Sequence, residues 1–124
     1  MIKRISVLAF FLPFLVLTTA CQAKDKTIKE CGWFVNPVPN EVTFITKSES
    51  WIISQQGAHE AAGDWPEFSD KEWMANNSGF HGYGCACMTL QVDPATHLVL
   101  QIKSAKSKSL NYCRGTLKLP LPSE

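Results

Sequence analysis

The segment CACMTLQVDPATHLVLQIKSA, residues 85–105, decides the fold of this chain. Its first nine residues alternate cysteine, threonine and glutamine with apolar side chains at positions 86, 88, 90 and 92, which is the period of a half-buried strand. A second alternating stretch begins at His97, and the intervening DPAT has proline at the second position of a β-turn. The segment therefore predicts an antiparallel hairpin.

Two more strands are predicted upstream, in EVTFIT (residues 41–46) and WIISQ (residues 51–55), as a second hairpin. The long stretch between the hairpins, residues 56–82, has no sustained period. It does contain a capping box from Ser69 to Glu72, which predicts a short helical turn through Trp73 and Met74. We expect a small all-β domain, a disulfide-linked antiparallel sheet or partial barrel, with one short helical turn and an N-terminal signal helix before it.

The chain opens with a short basic region and an apolar run from Ile5 to Leu17, followed by small residues. This layout predicts an export signal over residues 1–20. A membrane-spanning helix needs about 20 apolar residues, so the run is short for a permanent span. An anchor helix that is never removed is the alternative reading.

The sequence LTTAC, residues 17–21, resembles a bacterial lipobox, although Thr18 stands where leucine is usual. Lipidation of Cys21 would leave an even number of thiols among the five cysteines, and an unpaired thiol is a liability in an oxidising compartment. The alternative is an ordinary signal cleavage that leaves Cys21 unmodified. Gln22 after the cysteine implies sorting to the outer membrane. The expected location is the bacterial cell envelope, lipid-anchored at the periplasmic face.

We divide the rest of the chain into a flexible tether (21–30), a single β-rich domain (31–117) and a tail (118–124). Loss of Lys3 and Arg4 with the leader would leave ten basic and eleven acidic residues. The three lysines of KSAKSKS, residues 103–109, are separated by serines and alanine, which is a weak basic footprint. We therefore expect no nucleic-acid partner, and a membrane contact through the lipid.

Four cysteines remain in the predicted domain, and two of them are one residue apart. Cys85 and Cys87 would point to one face of a strand with Cα atoms about 6.6 Å apart, which disfavours a bridge between them. Each is then expected to pair with Cys31 or Cys113, and two connectivities stay open. We favour Cys31–Cys87 with Cys85–Cys113, because the hairpin brings Cys85 closer to the chain end that continues to Cys113.

Metal binding and thiol exchange are the competing roles for these cysteines. His81 with Cys85, Cys87 and Met88 supplies soft ligands, but the spacing matches no strong zinc signature. Exchange motifs usually place the thiolate at a helix N-terminus rather than on a strand. We predict no metal or other cofactor. We also find no nucleophile–base pair and expect the protein not to be an enzyme.

Aromatic residues supply the candidate binding surface. Trp33 and Trp51 lie in predicted core segments, whereas the irregular region and the following strand contain Trp65, Trp73, Phe80 and Tyr83. Partly exposed aromatic side chains suit sugar stacking or protein docking. We predict that these four residues form one binding surface.

Four stretches together resemble a family of small bacterial proteins catalogued only as a domain of unknown function. They are CGWFVNPVPN (31–40), GDWPEF (63–68), GYGCAC (82–87) and L-x-x-C-R from Leu110 to Arg114. The resemblance covers nearly all of residues 31–115. It implies an exported protein of about this length and a role for all four cysteines of the domain, but no catalytic residue.

The sequence favours a binding module of the cell envelope, for an envelope protein or a glycan, for example an inhibitor of an envelope enzyme. A structural role in envelope maintenance and a metal-binding or thiol-redox role are the alternatives.

Overall fold

The computed structural model describes residues 9, 12–15, 25–76 and 81–122. The described chain is mostly strand, which confirms the all-β prediction. The seven strands are β1 (Lys26–Val38), β2 (Glu41–Ile45), β3 (Ser50–Gln55), β4 (His59–Glu60), β5 (Trp73–Ala75), β6 (Gly82–Asp93) and β7 (Leu98–Lys108). A 3₁₀ turn covers Asp70–Glu72, and an unpredicted π-helical turn covers Tyr112–Thr116.

One sheet contains all seven strands, and it closes on itself. β6 lies between β1 and β7 and is antiparallel to both. β1 also pairs with β2, and β2 pairs with β3. β3 meets β7 through the parallel pair Ile52–Leu98, and Ala62 bridges to Gln101 of β7 nearby. The result is a small barrel, so most strand edges are paired rather than left open.

Strand alternation sorts the side chains of β6 into two environments. Ala86, Met88, Leu90 and Val92 are 0–1 % exposed and face the barrel interior. There they meet the buried side chains of the other strands, among them Phe34, Val42, Phe44, Trp51, Ile53, Val99 and Ile102. The antiparallel pairs β2–β3 and β6–β7 confirm the predicted hairpins 41–55 and 85–105. Their alternating apolar residues fill this interior.

The outer face of the sheet has a smaller core of its own. Trp33, Cys85, Cys113 and Leu119 are buried together there. The Trp33 indole Nε1 donates a hydrogen bond to the carbonyl oxygen of Pro120 at 2.9 Å. The segment after the π-helical turn thus covers the outer face of β1 and β6. The predicted tail from residue 118 onward is wrong in this respect, because Leu119 is part of a core.

The N-terminal boundary of the domain also differs from the prediction. β1 begins at Lys26, and residues 26–30 pair with Val92 through Met88 of β6. The predicted flexible tether therefore ends at least five residues earlier than residue 30. Lysine and threonine are accommodated in this strand because Thr27 and Lys29 are exposed. Ile28, which alternates with them, packs against the interior core.

The 3₁₀ turn has the predicted capping box, with the backbone N–H of Ser69 donating to Glu72 Oε1 at 3.0 Å. This hydrogen bond, and then the Ser69 hydroxyl, hold the pKa of Glu72 below its ordinary value, with a smaller contribution from the Ser107 hydroxyl and against a weak opposing effect of burial. The turn ends at Glu72 rather than Met74, because Trp73 already pairs with Gly84 as part of β5.

Gly84 allows this irregular region to dock onto β6. A Cβ atom at Gly84 would lie 2.5 Å from Cε1 of Phe68 and 3.0 Å from the carbonyl oxygen of Glu72. Phe34 of β1 and Trp73 of β5 flank Gly84 on its two sides in the register. The missing side chain thus leaves the space that the Phe68 ring occupies.

The predicted signal peptide and Cys21 lie almost wholly outside the described residues. The few described positions in that region, residue 9 and residues 12–15, are exposed and are not in a helix. Across the described ranges, no helix has the length and apolar character needed to cross a membrane.

Candidate functional site

Two disulfides join the four cysteines of the domain: Cys31–Cys87 and Cys85–Cys113. The presence of disulfides is confirmed, and the pairing is the one favoured from the sequence. Cys31 and Cys87 are directly opposite each other on β1 and β6. Cys85 and Cys113, with Cα atoms 5.8 Å apart, are both fully buried and attach the π-helical turn to β6.

These bridges remove the thiols on which a metal or exchange role would depend, since a thiolate is the metal ligand and the nucleophile. Among the residues that the structure describes, no group of three or more histidine, cysteine, aspartate or glutamate side chains is placed to hold a metal ion.

Trp65 and Trp73 belong to the interior core rather than to an exposed patch. Both are half-buried and pack around Phe34, with ring centroids 5.5 Å and 6.4 Å from it. Phe68 completes the cluster, 5.7 Å from Phe34 and 5.1 Å from Trp73. The surface that these rings leave exposed lines an open depression of about 270 Å³, together with Pro66 and Asp70.

Tyr83 lies on the opposite face of the sheet from Trp73. It pairs with Met74 of β5 and Val35 of β1, one residue out of step with the Gly84–Trp73 pair. Its ring packs edge-on against Trp33 at 5.1 Å. The predicted four-residue binding surface is therefore wrong as a single surface, because adjacent positions of a strand point to opposite faces. Phe80 lies outside the described residues.

The outer row formed by Val35, Tyr83 and Met74 lines a small cavity. With Pro37 and Pro122 these three residues enclose about 100 Å³, and we call this site the outer pocket. Asn76 closes one end, where its side-chain amide donates to the carbonyl oxygen of Pro37 at 3.0 Å. The C-terminal segment supplies Pro122, so a residue distant in sequence completes a site that begins on the sheet.

One exposed apolar side chain of the described domain lines the outer pocket, and two others are sequence neighbours of its lining residues. Within residues 25–76 and 81–122, the large hydrophobic residues classed as exposed are Val38, Met74 and Leu121, at 42 %, 43 % and 53 %. Met74 lines the pocket, Val38 follows its lining residue Pro37, and Leu121 precedes Pro122. Scattered exposed apolar residues need no explanation, but a local concentration of them is typical of an interaction site.

A broader depression lies along the C-terminal segment. It measures about 480 Å³ and is lined by Trp33, Ile45, Leu119 and Leu121, with Lys47 and Lys118 at its rim. Pro122 lines both sites, so they adjoin at this residue, and we call the broader depression the groove. Sequence reasoning missed this groove because its walls are brought together by the β1–β5–β6 register and by Cys85–Cys113.

A family model described as "Protein of unknown function (DUF4087)" matches residues 25–119. The chain belongs to the DUF4087 family. The match starts beside the first residue of β1 and ends at the buried Leu119, in agreement with the observed domain limits. Comparison with curated proteins found no match, and comparison with solved structures found none either.

Proposed function

We propose that this DUF4087 protein is an exported bacterial envelope lipoprotein that binds a protein partner through the outer pocket and the groove that adjoins it. The observation that carries the proposal is an apolar cavity with the exposed Met74 in its wall, beside a depression that the exposed Leu121 lines. An envelope protein presenting a projecting apolar side chain is the partner that this surface fits.

The size of the pocket supports capture of one side chain. An apolar cavity of about 150 Å³ holds benzene, so the smaller volume of about 100 Å³ suits one aliphatic side chain. Protein interfaces derive most of their binding energy from a few such anchors in well-packed pockets. The neighbouring groove would take the flanking residues of the partner.

A protein partner is favoured over a glycan by the placement of the tryptophans. Sugar stacking needs an open aromatic face, whereas Trp65 and Trp73 are half-buried against Phe34. The aromatic ring that remains at the outer pocket, Tyr83, presents only part of its surface beside aliphatic neighbours. This setting matches the mixed apolar surface of a protein contact better than a sugar platform.

A photo-crosslinking amino acid placed at Met74 is expected to trap a discrete envelope protein in living cells. The reason is that position 74 lines the pocket and is already exposed, so the probe can reach a bound partner without disturbing the core. Mass spectrometry of the adduct identifies the partner. The same probe at Gln56, an exposed turn residue remote in the sequence from all pocket-lining segments, is the matched control. Equal labelling from both positions would refute the pocket as the docking site.

Replacement of Cys21 by serine is expected to abolish incorporation of a labelled fatty acid into the protein and to release it from the membrane fraction. The acyl chains would be attached through the Cys21 thiol, and stable anchoring requires them. Metabolic labelling and membrane fractionation measure the effect. Ser48→Cys, which adds an exposed thiol elsewhere, is the control for nonspecific acylation. Unchanged labelling of the Cys21 variant would contradict the lipid anchor.

A further inference from the structure

The outer face of β1, β6 and β7 carries lysines on one side of the disulfide Cys31–Cys87. Lys29 of β1 is in register with Thr89 and Ser104, and Cys87 is in register with Lys106. Lys103 reaches the same face, since its Nζ lies 3.4 Å from Thr27 Oγ1. Lys29, Lys103 and Lys106 are all exposed, and we call them the lysine face.

In the described part of the chain, no acidic side chain forms an ion pair with the lysine face. The cross-strand rows of Lys29 and Lys106 hold threonine, serine and the disulfide, and the row of Thr27 holds two glutamines, so none of the three rows contains aspartate or glutamate. Among the described residues, the structure records no ion pair between any of the three lysines and a carboxylate. The face is therefore a local cationic surface on a chain whose formal net charge is only +1.

The lysine face also lies close to the proposed lipid. β1 begins at Lys26, five residues after Cys21. A fully extended chain spans at most about 3.5 Å per residue, so the anchor lies within about 17 Å of the first strand residue. Lys29 is three residues further along that strand. A tether this short keeps the face within reach of the membrane surface, where charges are felt over about 10 Å at moderate ionic strength.

We propose that the lysine face lies against the anionic phospholipid headgroups of the leaflet that holds the anchor, so that the membrane orients the barrel. The inference rests on the lipid anchor of the proposed function and adds an orientation to it. Lysine side chains near an anionic surface are attracted individually, and the attraction adds to a lipid anchor. The outer pocket lies on the same outer face, at the Tyr83 end of β6, about 20 Å along the strand from Thr89 and at the opposite end of β1 from Lys26.

The test measures the acylation rate of each lysine by mass spectrometry on the mature lipidated protein, reconstituted in vesicles. One set of vesicles contains phosphatidylglycerol in phosphatidylcholine, and the other contains phosphatidylcholine alone. We expect Lys29, Lys103 and Lys106 to react about fivefold more slowly on the anionic vesicles at low salt, and the difference to vanish at about 1 M salt. The exposed Lys47 and Lys71, outside the face, serve as internal controls and should not change.

A charge-reversal pair separates the face from the anchor. Lys29→Glu with Lys106→Glu should remove the protection of Lys103 while flotation with the vesicles is retained. Lys47→Glu with Lys71→Glu should leave the protection intact. Equal protection of all lysines, equal protection on neutral vesicles, or the same protection by inorganic phosphate alone would each overturn the proposal.

Failure of this inference and failure of the proposed function have different readouts. Protein that does not float with vesicles lacks the anchor, which overturns both. Protein that floats with unprotected lysines overturns only the orientation. If the probe at position 74 gives no crosslink while the lysine face is still protected from acylation, the orientation is supported and the partner site is rejected.

Discussion

Replacing Cys85 and Cys113 together by alanine is expected to lower the free energy of unfolding by about 3.5 kcal/mol. The bridge closes a loop of 28 residues, and chain-entropy estimates for a loop of that size give this value. The loss is a large part of the stability of a domain of about 100 residues. Urea denaturation followed by circular dichroism, at matched protein concentration, measures the change.

The matched control replaces Cys31 and Cys87 by alanine. Their disulfide closes a loop of 56 residues, so its removal should lower the free energy of unfolding by a similar amount, about 4 kcal/mol. The two variants should differ in local behaviour. Only the loss of Cys85–Cys113 detaches the π-helical turn, so trypsin should cut faster at Arg114 and Lys118 in that variant alone. Identical cleavage of the two variants would show that the C-terminal segment is held without the buried bridge.

Substituting Gly84 by alanine is expected to destabilise the domain by about 2–3 kcal/mol. The new methyl group would overlap the Phe68 ring, and the carbonyl oxygen of Glu72 limits any movement toward β5. The ring must leave its place, which opens the aromatic cluster around Phe34. Thermal and urea unfolding report the loss.

A double-mutant cycle with Phe68→Ala tests the cause. Truncating Phe68 alone should also destabilise the domain, because its ring packs on Phe34 and Trp73. In the double variant the new methyl group has space. The double variant should therefore lose about 1–2 kcal/mol less free energy of unfolding than the sum of the losses in the two single variants. Strictly additive effects would mean that Gly84 is required for another reason than the contact with Phe68.

The elements that the sequence predicted correctly depend on local patterns. Residues 85–105 alternate within one segment, and Ser69 and Glu72 are three residues apart, so neither prediction needs knowledge of distant contacts. The pairing Cys85–Cys113 is favoured because the hairpin turn brings Cys85 close to the chain end that continues to Cys113. These local patterns do not depend on which distant residues pack against them.

The features that the sequence did not predict depend on distant partners. The polar start of β1 becomes a strand because β6 offers a long edge to it, and Leu119 is buried because Trp33 lies beneath it. The separation of Trp73 from Tyr83 follows from a register in which they pair one position apart. A one-residue difference in register exchanges the two faces of the strand.

The pairing of β1 with β6 has a mechanical consequence. Eleven consecutive residues of β1, from Lys26 to Asn36, are matched to β6, and the chain enters this pairing at the end nearest Cys21. A pulling force applied through an anchored N-terminus therefore loads the strand along its axis, so that many hydrogen bonds must break together rather than one after another. The cross-link at Cys31 limits any sliding to the first few residues, so the barrel as a whole bears a force applied at the N-terminal end of β1.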